Sequence, residues 1–197
     1  FPTLSSSTVP MIQKAVRTCD QLMCEPGSPI LGLHLEGHYL NPRKAGAQMP
    51  EWIKNPDPNE YIPIVESSPC LRRWDAAPEL PGAIQFGRYC AEKGILPSIA
   101  HTAAEYEDVK AGFKAGFTHV THFYNAMPGF HQKREYKYEG TVESVYLIDE
   151  MTVECVADGI HVPPTILRMC YKIKGVEHMA LITDALPVAA CEGGKAF

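Results

Sequence analysis

Residues 33–42 read LHLEGHYLNP, and they set a carboxylate, Glu36, at the end of the apolar run PILGLHLEG. A Glu is almost never buried unless it is paired or coordinates a metal, so a strand ending this way needs a partner from elsewhere in the chain. Upstream, the Ser/Thr cluster of FPTLSSS can end a strand and cap a helix, and VPMIQKAVRTCDQLM has apolar residues at helical spacing. Downstream, residues 38–61 form a polar stretch rich in Pro, Asn and Gly with neither helical nor strand period, read as a long loop of the kind that serves as a lid or binding loop.

The same alternation continues to the end of the chain. LRRWDAAPE is read as a strand ending at Glu79, PGAIQFGRYCAEKG as a helix, and ILPSIAH as a strand ending on His101. YEDVKAGFKAG is helix stopped by Gly116, and FTHVTHFYNAM is a strand running into a turn. TVESVYLIDEM fits either a strand or a short helix before the strand TVECVADGIHV. PPTILRMCYKIKG is helix, and MALITDAL is the last strand. Strand then helix, repeated, predicts an α/β fold with a parallel sheet wrapped by helices.

The 197 residues are 45% hydrophobic and 21% charged, which suits one well-buried domain. No apolar stretch approaches the roughly 20 residues of a membrane-spanning helix, so no membrane partner is expected. The first residue is Phe1 and no basic segment followed by an apolar one comes after it, so no signal peptide is expected and the start reads as a truncation. The seven cysteines (19, 24, 70, 90, 155, 170 and 191) are odd in number and contain no CxxC, pointing to reduced thiols in a cytoplasmic protein. A net charge of −5 argues against nucleic acid as the main partner but allows a phosphorylated small molecule in a local basic pocket. GxGxxG, GxxxxGKS and GxSxG are all absent.

Glu36, His101, His122, His161 and Asp184 all fall at the C-terminal ends of expected strands. Catalytic groups gather at that end in a (β/α)8 barrel and also in a doubly wound open sheet, so the placement alone does not choose between them. One carboxylate and two imidazoles make a suitable ligand set for Zn2+ or Fe2+ that leaves a position for water. Asp184 is placed to take a proton from that water and return it to a leaving group. Strand alternation sets His34 on the face of Glu36 as a support, and sets His119 opposite His122 as a structural or supporting residue. The sharp turn at Asp158 and Gly159 pushes His161 over the pocket, either as a fourth ligand or as a donor to substrate. Lys133 and Arg134 read either as an anion clamp or as a solvated basic loop.

GLHLEG with LNP and KAGA, THFYNAM, ADGIHV and LITDA, in this order, resemble the N-acetylglucosamine-6-phosphate deacetylases of the amidohydrolase superfamily, from Pro2 to Ala189. The resemblance implies a (β/α)8 TIM-type barrel, here about strands 2 to 8 and without the family's small β domain, so that residues 1–197 are one partial metal-dependent domain. It implies hydrolysis of the acetamide of N-acetylglucosamine 6-phosphate to glucosamine 6-phosphate and acetate, one divalent metal with a second left open, and a homodimer. Carried over by motif, Glu36, His101 and His122 are the ligands and Asp184 the general base and acid. Ala47, Asn125, Ala126, His161 and Arg134 hold the sugar and its phosphate, with Lys133 the competitor for the phosphate. The chain departs from the family pattern at His38, where many members have Pro, and at Gln48, where some have a substrate-binding His. The other readings are an amidohydrolase acting on a cyclic amide or a deaminase substrate, and a non-catalytic sugar-phosphate binding barrel.

Overall fold

The computed structural model describes residues 1–186 and 188–189; Cys191 and the CEGGK segment lie outside them. The elements in chain order are β1 (Thr3–Ser5), α1 (Val9–Met23), β2 (Leu33–Tyr39), α2 (Pro58–Glu66), β3 (Leu71–Ala76), α3 (Ala83–Glu92), β4 (Leu96–Ile99), α4 (Tyr106–Lys114), β5 (His119–Val120), β6 (His131–Lys133), β7 (Tyr136–Tyr138), α5 (Thr141–Tyr146), β8 (Thr152–Val156), α6 (Pro164–Lys174) and β9 (Met179–Ile182). Most of these are the expected ones. α2 lies partly inside the stretch read as loop, and local chemistry explains it: Pro58 opens the helix and the Asp57 carboxylate accepts from the Asn59 N–H at 2.9 Å. The ambiguous TVESVY is helix α5, and the basic segment after His122 is a β6–β7 hairpin.

Seven strands form one parallel sheet in the order β1-β2-β3-β4-β5-β8-β9. The order never reverses, so the sheet has no switch point of the doubly wound kind, and right-handed crossovers put every helix on one face. Leu33, Leu35, Trp74, Ile99, Val120 and Val153 supply that face and meet Ile12, Ile64, Phe86 and Val109 from the helices in a single core. The sheet is strongly curled. Glu36 lies in β2 and His122 follows β5, three strand spacings or roughly 14 Å apart in a flat sheet, yet Glu36 Oε1 and His122 Nε2 are 3.1 Å apart. The result is a partial (β/α)8 TIM-type barrel, open between β1 and β9 among the described residues.

The concave face is polar where such barrels usually pack branched apolar side chains. Arg73 donates to Glu154 at 2.7 Å and to His34 Nδ1 at 2.8 Å, while His119 bridges Arg73 and Thr152. Thr121 donates to Asp75 at 2.9 Å and contacts Ser98 at 2.8 Å. Pairing offsets part of the cost of burying these charges. Burial alone would raise the Glu154 carboxyl, but the hydrogen bonds from His119 and Arg73 prevail and hold it at about 2.

Candidate metal centre

Three strand ends converge at one rim of the curled sheet. Glu36 Oε1 lies 3.0 Å from His101 Nε2 and 3.1 Å from His122 Nε2, and the two ring nitrogens are 3.1 Å from each other. All three side chains are buried. His101 and His122 take positive φ values, 43° and 33°, and Asp184 at the end of β9 takes 50°. Left-handed backbone at residues other than glycine is strained and gathers at functional sites. Here the kink at the end of each strand turns the side chain inward over the rim.

A bulge does the same for β2. Leu35 pairs with Trp74 and Tyr39 with Ala76, so several residues of β2 oppose one step of β3. Gly37, at φ 116°, sits in the bulge with the Ser6 hydroxyl only 2.4 Å from where a Cβ would stand. Trp74 Nε1 fixes it by donating to the Gly37 carbonyl at 2.7 Å. The bulge breaks the two-residue alternation, so His38 does not follow Glu36 into the rim. It points to the helix side, where Nε2 contacts Glu60 at 2.5 Å and the ring packs edge-on to Tyr39 and Trp74.

The donor set fits a divalent cation. The Lys44 carbonyl, 2.8 Å from His101 Nδ1, can only accept, so Nδ1 carries a proton and Nε2 is the ring nitrogen turned toward Glu36. An ionised Glu36 also only accepts, so the 3.0 Å contact needs a proton or a cation between the two atoms. Nitrogen and oxygen ligands at ~2.0–2.1 Å in tetrahedral geometry sit about 3.3 Å apart, close to the spacing found. Burial by itself would raise Glu36, yet the bonds from His101 and His122 hold it well below the ordinary carboxylate range. His122 is lowered by burial and raised more by Glu36, with Asp75 and Asp184 adding to the rise.

The loops after β2 and β4 clamp this arrangement. Glu79 accepts from Asn41 Nδ2 at 2.8 Å, from the Ala103 N–H at 2.6 Å and from Thr102 Oγ1 at 2.6 Å. Asn41 in turn donates its N–H to the His101 carbonyl at 2.9 Å. A cavity of about 800 Å³ opens beside the centre, lined by Glu36, Thr121 and Glu154 below and by Thr183, Asp184 and Ala185 at its mouth.

No family model matches the chain. An N-acetylglucosamine-6-phosphate deacetylase of Bacillus subtilis is 32% identical over 169 residues, 85% of this chain and 42% of that protein. An N-acetylgalactosamine-6-phosphate deacetylase of Escherichia coli O157:H7 is 31% identical over 199 residues, covering 99% and 51%. An aspartate-to-alanine variant of the N-acetyl-D-glucosamine-6-phosphate deacetylase of Mycobacterium smegmatis, solved in complex with N-acetyl-D-glucosamine-6-phosphate, superposes with a TM-score of 0.85 at 30% identity, covering 94% of this chain and 48% of that one.

Over most of its length the chain is similar to the N-acetylglucosamine-6-phosphate deacetylases. It spans about half the length of the curated relatives it matches.

Against the family motifs, the remaining expected residues divide into two groups. Asn125 and Ala126 follow His122 directly, with the Asn125 N–H donating to the His122 carbonyl at 2.9 Å and Ala126 at φ 52°. Ala47 is exposed, in the loop that Lys44 lays over His101, and Gln48 accepts from the Ser6 N–H at 2.7 Å. His161 is exposed and held by Asp158, whose carboxylate also accepts the Ile160 and His161 N–H groups. Arg134 sits exposed at the β6–β7 turn at φ 54°, while Lys133 pairs with Glu105 and lies over the Tyr138 ring.

Three expectations need correction. His34 does not support Glu36; its Nδ1 accepts from Arg73 and contacts Thr3, and Nε2 lies 2.9 Å from Asp75 without making a hydrogen bond. His38 is no extra imidazole at the rim, for the bulge already described. His119 and His122 do not oppose each other, because β5 ends at Val120 and the alternation expected of a longer strand stops there. Asp75 and Glu154 carry no role in the sequence reading, and Glu79, expected as a strand end, lies beyond β3, which stops at Ala76. Asp75 and Glu154 could have been found as acidic residues at inward positions of otherwise apolar strands.

Proposed function

We propose that this chain is the metal-binding part of an enzyme that hydrolyses the acetamide of N-acetyl-D-glucosamine 6-phosphate to glucosamine 6-phosphate and acetate. The observation that carries the reading is the Glu36, His101 and His122 triangle at three strand ends, in a chain similar to these deacetylases. A Zn2+ or Fe2+ ion held by these residues would supply Lewis acidity, bringing the pKa of water toward ~7 and polarising the acetyl carbonyl. Asp184, at the mouth of the cavity, takes a proton from the attacking water on a carboxylate oxygen and delivers it to the amide nitrogen as the C–N bond breaks.

Asn125, the Ala126 backbone, Ala47 and His161 orient the sugar. The Asp158 carboxylate aims His161 through its Nδ1 at 2.6 Å and leaves Nε2 for substrate. Arg134 takes the phosphate. It has no carboxylate partner among the described residues, whereas Lys133 is engaged by Glu105. The mycobacterial structure with the phosphosugar bound supports this substrate class. Residues 1–197 act as one partial barrel domain in a cytoplasmic homodimer. The six free cysteines among the described residues suit a reducing compartment, and exposed Phe130 and Tyr136 offer apolar surface to a partner subunit.

The test uses the full-length protein, its bound metal measured by mass spectrometry and acetate release followed on the phosphosugar, its galactosamine epimer and unphosphorylated N-acetylglucosamine. Stoichiometric metal with turnover preferring the phosphorylated gluco-sugar is expected. Absence of both metal and acetate release would overturn the proposal.

A further inference from the structure

Outside the metal centre, β8 and α6 bring two thiols together. The sulfurs of Cys155 and Cys170 lie 3.9 Å apart, and both residues are fully buried free cysteines. A disulfide needs the sulfurs at ~2.05 Å, so they must approach by about 2 Å. The surroundings favour one thiolate. Cys155 hydrogen-bonds Cys170 and lowers it, burial opposes this, and Tyr146 and the Lys174 ammonium assist, holding the Cys170 thiol at about 7. That same bond, together with burial, pushes Cys155 up.

The pair brackets the loop after β8, which carries Asp158 and His161. α6 buries only Cys170 and Lys174 of its eleven residues. Local opening of this surface helix gives a small uncharged oxidant a way in. Disulfides in reducing compartments are usually of this transient kind.

We propose that Cys155 and Cys170 form a dithiol that hydrogen peroxide oxidises to a disulfide, fastening the loop that carries His161. The Cys170 thiolate attacks one peroxide oxygen. An S–O bond forms, the O–O bond breaks, and the departing hydroxide takes a proton to leave as water. The Cys155 sulfur then attacks the sulfenic sulfur: the S–S bond forms, the S–O bond breaks, and the hydroxide leaves as a second water with the Cys155 proton. Two thiols lose two electrons and peroxide gains them.

The experiment uses full-length protein in which Cys24→Ser removes an exposed thiol. After treatment with hydrogen peroxide, free thiols are alkylated and the protein is digested without reductant. The expected result is one peptide pair joined through Cys155 and Cys170, separated by dithiothreitol, and a dimedone adduct on Cys170 when Cys155→Ser removes the resolving thiol. In limited proteolysis, the oxidised protein should be cut between residues 157 and 169 several-fold more slowly than the reduced one. Recovery of both cysteines as alkylated thiols or as separate sulfinic acids would overturn the proposal, and so would equal cleavage of the loop in the two forms.

Discussion

The Lys44 carbonyl accepts a hydrogen bond from His101 Nδ1 at 2.8 Å, so the loop after β2 determines the tautomer of a residue at the end of β4. The Glu36 carboxylate lies 3.0 Å from the other nitrogen of the same ring. Two loops and a carboxylate therefore agree on one orientation of His101 before any ion binds.

Glu79 holds those two loops together and touches neither Glu36 nor the two ligand imidazoles. Glu79→Ala leaves Asn41, Thr102 and the Ala103 N–H without their acceptor. Weakening of metal affinity by roughly 10–100-fold is expected, as for supporting residues around metal ligands. Chelator competition measures it, and unchanged affinity would show that the clamp does not position His101.

Asp184 lines the same cavity as Glu36 and is the proposed proton carrier. Asp184→Asn should keep bound metal and KM while kcat falls by about 10²–10⁴. Loss of metal in that variant would instead place Asp184 among the ligands.

Arg134 and Lys133 are adjacent, but only Lys133 is tied to Glu105. Arg134→Ala should raise KM for the phosphosugar by roughly 10–100-fold with little change in kcat, the cost of a lost charge-assisted contact. Lys133→Ala should do much less, and the opposite ranking would assign the phosphate to Lys133.

Glu154 provides the pH test. Its folded carboxyl is held at about 2, below the unfolded value, so folding favours the ionised form. The stability this contributes, roughly 2–3 kcal/mol, is present above the ordinary carboxylate range and is lost as pH falls from about 5 toward 2. Urea unfolding across that window should show the decline, and a Glu154→Gln variant should start lower and show a flatter profile. An unchanged pH profile in the variant would remove Glu154 as the source.

The strand-end pattern of Glu36, His101, His122 and Asp184 was readable because barrel strands carry apolar residues along their length and chemistry at their ends. The helices were readable from their period and their punctuation, as where α4 stops at Gly116 with φ 106°. α2 was masked because its signal is a short capped start, Asp57 then Pro58, inside a stretch dominated by loop residues. The hairpin was hidden for a similar reason, since three-residue strands rich in charge carry almost no period.

Which residues stand next to one another was a different matter. Alternation assigned His34 to the company of Glu36 and the departure from the family's Pro drew attention to His38 beside it, and both went elsewhere: one to Arg73 and Asp75, the other past a bulge to Glu60. The local pattern by itself determined most of the elements, the parallel sheet and the rim at which the polar residues gather, because hydrophobic period and turn chemistry act over a few residues. Only the tertiary structure decided the triangle of ligands, the Glu79 clamp, the paired charges inside the curl and the approach of Cys155 to Cys170. Those depend on how far the sheet bends and where a strand slips register, and both are set by packing among residues distant in the chain.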